Sequence, residues 1–260
     1  MRAAFSRRSA KPSRSFVTSS WFLAPPEDWS GDSVVLPAEE SHHALRVMRI
    51  TPPDVITVTD GRGTVARAAA ARVEGNRLVV EVLEKDVRRR LSPEIVVYQG
   101  AAKGHKLDGV VQQLAELGVT GSWAFDSQRA VARWDRDKSQ RLGERWSGIA
   151  RAAAKQSRNA FVMEAGAGLS FTELIRRVAA EPLAVVLWED ATLPLRTALV
   201  AGPERVALVI GPEGGLAQEE AEALADAGAQ LVSLGPLILR TEHAAPAAAA
   251  ATLFHYGLIG

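Results

Sequence analysis

The chain has 260 residues, 47% hydrophobic and 23% charged, with a formal net charge of +1 and no cysteine. That length builds one large or two smaller domains with a real core, and the balance is that of a globular protein. The lack of cysteine excludes disulfides, a cysteine nucleophile and thiolate metal sites, and no apolar run approaches the roughly 18–20 residues that cross a bilayer.

The small net charge names no partner, but charge is unevenly placed. Arg2, Arg7, Arg8, Lys11 and Arg14 all precede the first acid, Glu27, in a Ser-rich stretch. Residues 1–20 read as a basic, disordered head, with a transit peptide or an over-long start as alternatives.

From residue 21 to 90 the pattern is β. Val34-Val35-Leu36 stops at Pro37, and a helix is expected over 39–49 with Ala44, Leu45, Val47 and Met48 as its apolar positions. Residues 54–59 alternate and end at Asp60-Gly61-Arg62-Gly63, a strong turn signal. Strands at 64–73 and 77–83 flank a hairpin turn at Glu74-Gly75-Asn76. Short strands with glycine turns predict a small barrel.

The character changes at Arg88-Arg89-Arg90-Leu91-Ser92-Pro93, and residues 91–260 alternate strand and helix. Strands are expected at 95–98, 183–187, 206–210 and 231–234. Helices are expected at 106–117, 140–157 and 218–227. The first carries Leu107, Val110, Val111 and Leu114 on one face and stops at Gly118. An Ala-rich helix closes the chain over 241–256; Pro246 requires it to start no earlier than about Thr241. The alternation predicts an α/β domain with a parallel sheet.

Two loops stand out. In Leu208-Val209-Ile210-Gly211-Pro212-Glu213-Gly214-Gly215 a buried strand runs into a Gly/Pro loop before a helix. Such glycines permit positive φ and close approach of backbone to a ligand, and ligands of open parallel sheets sit beyond the carboxyl ends of strands. The loop is neither the dinucleotide fingerprint nor a P-loop, because the required glycine spacing and Lys-Ser/Thr pair are missing. One unit later comes Leu234-Gly235-Pro236-Leu237-Ile238-Leu239-Arg240-Thr241-Glu242. An apolar loop segment there suits the wall of a pocket for a flat, uncharged ligand such as adenine, with Arg240, Thr241 and Glu242 at its rim.

This pair of loops closely resembles the C-terminal signature of the ribosomal RNA uridine-N3 methyltransferases of the SPOUT superfamily. Upstream segments are similar to that family too: His42-His43-Ala44-Leu45-Arg46-Val47-Met48-Arg49 and Asp60-Gly61-Arg62-Gly63 resemble its PUA-like RNA-binding domain. Lys103-Gly104, Glu116-Leu117-Gly118-Val119, Ser127-Gln128-Arg129 and Ala154-Lys155-Gln156-Ser157-Arg158 resemble its middle motifs. The sequence departs from the family pattern at Leu237, His243, Asn159 and Met163, where Arg, Thr, Arg and Pro are usual.

The resemblance implies an α/β fold: a SPOUT-type, trefoil-knotted parallel-sheet domain over 91–260, preceded by the PUA-like barrel. It implies S-adenosylmethionine held bent by the backbone of Ile210, Gly211, Gly215, Leu234, Gly235, Leu237 and Leu239. It implies a homodimer, and small-subunit ribosomal RNA as substrate, within an assembled 30S-type particle, in the cytoplasm or, with a transit peptide, an organelle. Arg240 is expected near uracil O2 or O4, against developing negative charge. Thr241 and Glu242 would position the base or order the loop, and Glu213 is a second candidate base, unranked against Glu242. His243 can take a proton, although a plain helix N-terminal role fits it better. RNA contacts are expected from His42, Arg46, Arg49, Arg62, Lys103, Arg129, Gln156 and Arg158. His42-His43 makes no metal pair, and neither a metal nor a membrane is expected. The alternatives are a SPOUT enzyme acting on a ribose 2′-hydroxyl or a guanine nitrogen, and a catalytically degenerate RNA-binding protein.

Overall fold

The computed structural model describes residues 20–260; the expected basic head lies almost wholly outside the described residues. The N-terminal unit consists of β1 (Trp21–Leu23), a 3-10 turn, β2 (Trp29–Ser30), β3 (Ser33–Val35), α1 (Ala38–His42), β4 (Val55–Thr59), β5 (Thr64–Glu74) and β6 (Arg77–Val87). A π-helical turn, His43–Val47, extends α1, and Arg49 ends it at φ 55°.

The six strands run β1-β4-β5-β6-β3-β2, antiparallel apart from the β1–β4 pair. Alternation puts Ile56, Val58, Ala68, Leu78 and Val80 into one core with Phe22, Val34 and Leu36. The edge strands β1 and β2 are joined by the Trp29 indole, which donates to Ala24 O at 2.7 Å. Ser41 ties α1 to the sheet: its hydroxyl donates to Leu36 O and accepts from Leu78 N–H, both at 2.9 Å. β6 outruns its expected end because Glu84 to Val87 pair with the start of β5 in an exposed, charged stretch without apolar alternation.

The C-terminal unit runs β7 (Glu94–Gly100), α2 (Lys106–Glu116), β8 (Gly121–Phe125), α3 (Arg136–Ser157), β9 (Glu164–Leu169), α4 (Phe171–Ala179), β10 (Ala184–Leu187), α5 (Leu195–Ala198), β11 (Arg205–Ile210), α6 (Gln218–Asp226), β12 (Gln230–Val232) and α7 (Thr241–His255). Its sheet is wholly parallel, in the order β12-β10-β11-β7-β8-β9. Helices on both faces explain the unbroken apolar strands. Ile95, Val97, Leu208 and Ile210 face α2, α3 and α7, whereas Val96, Tyr98, Ala207 and Val209 face α4 and α6.

α3 begins earlier than its apolar stripe because Asp135 caps it, accepting from Lys138 N–H at 2.7 Å. β9 is built from small residues that leave space for Trp123: a Cβ on Gly166 would lie 2.9 Å from the indole. α7 starts at Thr241, as Pro246 requires; the proline stands in the second turn and the helix continues through it.

α2 and α3 are joined by Asp108, which accepts from Arg145 Nη2 at 2.7 Å and Trp146 Nε1 at 3.0 Å. Burial pushes the Asp108 carboxyl up, but the Arg145 and Trp146 hydrogen bonds and the charges of Arg145 and His105 outweigh it, so the group sits below its ordinary value. A depressed native pKa gives stability present above the unfolded-state value and lost as pH falls through the native one. Asp108→Asn is therefore expected to cost about 1–3 kcal/mol at neutral pH and to lose less than wild type below about pH 4. Urea midpoints at both pH values check this.

The two units meet at the Asp60–Gly63 turn. Val162 N–H donates to Gly61 O at 2.9 Å and Gly63 N–H to Ala160 O at 3.1 Å, while Lys155 pairs with Glu40. A Cβ on Gly63 would lie 2.7 Å from the Phe161 ring, so the glycine that marks the turn also permits the docking.

Candidate active site

Three loops at the carboxyl ends of β10, β11 and β12 enclose a cavity of about 1330 Å³. The loop after β11 folds tightly on itself: a Cβ on Gly211 would lie 3.0 Å from the Gly215 carbonyl carbon, and Gly215 takes φ +71°. Gly100, at the end of β7, lies directly beneath this loop, where an added Cβ would come 2.3 Å from Pro212 N. The loop after β12 supplies Leu237, Ile238 and Leu239, which line the cavity yet are 80%, 89% and 43% exposed. The third loop, after β10, brings Trp188, Glu189 and Thr192.

A buried amide holds two of these loops together. Gln99 Nε2 donates to Thr241 Oγ1 at 2.7 Å and to Gly211 O at 3.3 Å, and the Thr241 hydroxyl donates to Gly211 O at 2.6 Å. On the other side, the buried Glu220 carboxylate accepts from Ala217 N–H, Gln128 N–H and Ser127 Oγ at 2.8–3.0 Å. It fastens the Ser127-Gln128-Arg129 segment to the β11 loop, where Arg129 Nη1 also donates to Leu216 O at 3.3 Å. Glu220→Ala would leave three donors without their acceptor, two of them backbone. A loss of about 2–4 kcal/mol is expected, read as a lowered urea midpoint with weakened cofactor binding.

At the mouth, Glu213 Oε1 accepts from Lys103 N–H at 3.1 Å and Lys106 Nζ at 3.2 Å. Burial pushes the Glu213 carboxyl up, but these bonds, its own backbone N–H and the Lys106 charge outweigh it and hold it below its ordinary value. Lys106 Nζ also lies 3.8 Å from Glu242 Oε2, near enough for attraction; that oxygen is buried and makes no hydrogen bond. Arg240 is exposed at the N-cap of α7 and makes no side-chain cap bond. The first residue of the helix is Thr241, whose hydroxyl is turned to Gly211 O.

Of the residues proposed from sequence, Ile210, Gly211, Glu213, Gly215, Leu234, Gly235, Leu237, Leu239, Arg240, Thr241 and Glu242 all line this one cavity. Lys103 and Arg129 flank it through contacts with the β11 loop. Gln156 and Arg158 lie at the far end of α3, and His42, Arg46, Arg49 and Arg62 on the N-terminal unit; all six are exposed. Met163 is buried in the core, and Asn159 Oδ1 accepts from Phe161 N–H at 3.0 Å, shaping the docking segment. Sequence reasoning missed Lys106, Glu189, Gln99 and Glu220. Gln99 had a signal, a polar residue ending an apolar strand; Glu220 had one as the third residue of the helix, three after its N-cap. No group of three or more His, Asp or Glu that could hold a metal occurs among the described residues.

Known proteins share this fold. A family model described as an RNA methyltransferase domain matches residues 89–253, and one described as an RNA methyltransferase PUA domain matches residues 36–83. The ribosomal RNA small subunit methyltransferase E of Mycobacterium bovis is 34% identical over 223 residues, 84% of this chain and 85% of the relative. The Bacillus subtilis protein of that name is 32% identical over 214 residues, 79% of this chain and 84% of its own. Among solved structures, ribosomal RNA small subunit methyltransferase E from Neisseria gonorrhoeae, bound to S-adenosyl methionine, superposes with a TM-score of 0.80 at 29% identity, covering 91% of this chain and 97% of its own. A Legionella pneumophila protein described as a methyltransferase, with SAM bound, gives 0.82 at 28% identity, covering 92% and 98%. With a barrel-like N-terminal unit, a parallel α/β sheet and these matches along most of its length, the chain belongs to the family of ribosomal RNA small subunit methyltransferases E, within the SPOUT superfamily.

Proposed function

We propose that this enzyme transfers the methyl group of S-adenosylmethionine to N3 of a specific uridine in small-subunit ribosomal RNA. The observation that carries the reading is the single cavity gathering both glycine loops with Arg240, Thr241, Glu242 and Glu213. Its volume exceeds the roughly 300–1,000 Å³ of an ordinary small-ligand site, leaving space for a nucleobase beside the cofactor.

The residues present fit S-adenosylmethionine. Leu187, Leu195 and Leu216 give apolar wall, and crowded glycine backbone lets a ligand approach the peptide groups. Ile210, Gly211, Gly215, Leu234, Gly235, Leu237 and Leu239 would hold it. Bound there, it supplies a methyl group already activated on a sulfonium.

The protein must then orient the base and remove its N3 proton. N3 lies on the pairing edge, so the uridine enters unpaired or flipped out. Arg240 donates to O2 or O4, favouring the charge that builds on the ring as the proton leaves. Thr241, fixed through Gln99 and Gly211, orders the loop beneath it. Hydrogen bonding ranks Glu242 ahead of Glu213 as proton acceptor: Glu213 is already engaged by Lys103 and Lys106, whereas Glu242 keeps one oxygen unbonded.

The homodimer, the assembled 30S-type substrate, the cytoplasmic location and the knot belong to the same reading. For the dimer, α7 is apolar nearly all round and leaves Phe254 70% exposed. No helix among the described residues is long and apolar enough to cross a membrane.

The test is methyl transfer from labelled S-adenosylmethionine to small subunits lacking the mark. Label in the ribosomal RNA is expected. A protein that binds the cofactor and labels neither subunits nor free ribosomal RNA contradicts the reading.

A further inference from the structure

Lys106 joins three elements at the mouth of the cavity. It is the first residue of α2, and its ammonium lies 3.2 Å from Glu213 Oε1 on the β11 loop and 3.8 Å from Glu242 Oε2 at the start of α7. One ammonium thus stands against two carboxylates, and the two are held differently. Glu213 Oε1 also accepts from Lys103 N–H at 3.1 Å, so the loop after β7 ties it with or without the lysine. Glu242 accepts no hydrogen bond among the described residues. Its Oε2 is buried, with the Lys106 ammonium as the one cation within 4 Å among the described residues, whereas Oε1 is not buried.

The plain reading is a surface ion pair that fastens α2 to the β11 loop. Two observations go beyond it. A cation in the first turn of a helix is opposed by the helix dipole, and an ion pair whose lysine is 41% exposed adds little stability, so the fold gains little from a lysine here. The ammonium also faces a buried carboxylate oxygen that has no other compensation, and a buried charge left without a partner is costly.

We propose that Lys106 is a positioning residue for methyl transfer: anchored on Glu213, its ammonium faces the buried Oε2 of Glu242 and leaves Oε1 as the oxygen that takes the uracil N3 proton. The proposal rests on the uridine-N3 reading and adds to it a division of roles between the two glutamates. Glu213, engaged by two donors, is the anchor of the lysine. Glu242 is the proton acceptor. In the step, the N3–H bond gives its proton to Glu242 Oε1 and its electron pair to the incoming methyl group, whose former bonding pair stays on the sulfur. Lys106 gives up no proton and touches no reacting atom; it acts through Glu242.

The test compares wild type with Lys106→Met, Lys106→Arg, Glu213→Gln, Glu242→Gln and the double variant Glu213→Gln/Lys106→Met. Turnover on small subunits lacking the mark is read at saturating cofactor and substrate, beside cofactor affinity by calorimetry and melting temperature. Lys106→Met is expected to lower turnover about tenfold, less than the roughly 10²–10⁴-fold of Glu242→Gln, which removes the acceptor itself. Cofactor affinity stays within about twofold and melting temperature within about 4 °C of wild type. Lys106→Arg keeps the charge and recovers part of the loss. Because Glu213 acts only through the lysine, the double variant turns over no more slowly than Lys106→Met alone, whereas two independent roles would multiply. If wild type methylates subunits and Lys106→Met matches it, the positioning role fails alone. It fails also if the loss appears in the cofactor dissociation constant, or if Lys106→Arg is as slow as Lys106→Met. A Glu213→Gln loss as large as that of Glu242→Gln makes Glu213 the acceptor and overturns the division of roles. A wild type that binds the cofactor and labels no ribosomal RNA overturns the proposed function, and this role with it.

Discussion

Arg240→Ala is expected to lower turnover by about 10²–10³-fold at saturating cofactor and substrate while leaving cofactor affinity within about twofold. The position of the side chain is the reason. Arg240 occupies the N-cap of α7 in extended backbone, φ −63° and ψ 148°, and makes no side-chain cap bond, so its removal costs the helix little. It is exposed at the rim of the cavity, next to the buried Thr241 that carries the Gln99 and Gly211 contacts. An interaction formed only as charge builds on the base appears in turnover and not in binding. Arg240→Lys keeps the charge but not the planar fork and is expected to recover part of the loss. Steady-state kinetics with calorimetric cofactor affinities check this; an equal rise in the cofactor dissociation constant would make Arg240 a cofactor ligand.

Gly100→Ala is expected to destabilise the fold by about 3 kcal/mol or more. The new Cβ would come 2.3 Å from Pro212 N and 2.7 Å from the Gly211 carbonyl carbon. Both are backbone atoms of the β11 loop and cannot swing aside as a side-chain tip would. Relief requires the loop to move, and Gly211, Pro212 and Glu213 all line the cavity. Molecules that remain folded should therefore bind the cofactor at least about tenfold more weakly. Gly148→Ala is the control: nothing lies within 4 Å of its added Cβ, and alanine within α3 should be neutral or stabilising by up to about 1 kcal/mol. Urea midpoints for both variants and cofactor titrations at low temperature decide the matter. A Gly100→Ala protein of wild-type stability and affinity would show that the β11 loop yields freely.

Much of the fold is legible in the sequence where one period dominates. Leu107, Val110, Val111 and Leu114 mark α2, and the unbroken runs at 95–98 and 206–210 mark the central strands that helices cover on both faces. β9 is not legible, because Ala165, Gly166 and Ala167 are small to fit Trp123 and carry no β-forming signal. α4 carries a signal that is absent from the expected helices, Ser170 as cap with Leu174 and Val178 on one face, over the same 9 residues as the expected α6. At the site, both glycine loops are readable because glycine is required there, by close packing at Gly211 and by positive φ at Gly215 and Gly235. The third loop, Trp188 to Thr192, contains none and is found only in three dimensions. Gln99 and Glu220 act across 142 and 93 residues of chain, on Thr241 and Ser127, and local pattern cannot show which partners they meet.

The most direct test of the central claim is the identity of the methylated nucleoside. Small subunits lacking the mark are incubated with the protein and labelled S-adenosylmethionine, and their ribosomal RNA is digested to nucleosides and separated against standards. Label is expected in 3-methyluridine alone, collapsing with Arg240→Ala. Label in a 2′-O-methylated nucleoside or a methylguanosine would contradict this mechanism, because the base held between Arg240 and Glu242 would then not be a uracil presenting N3.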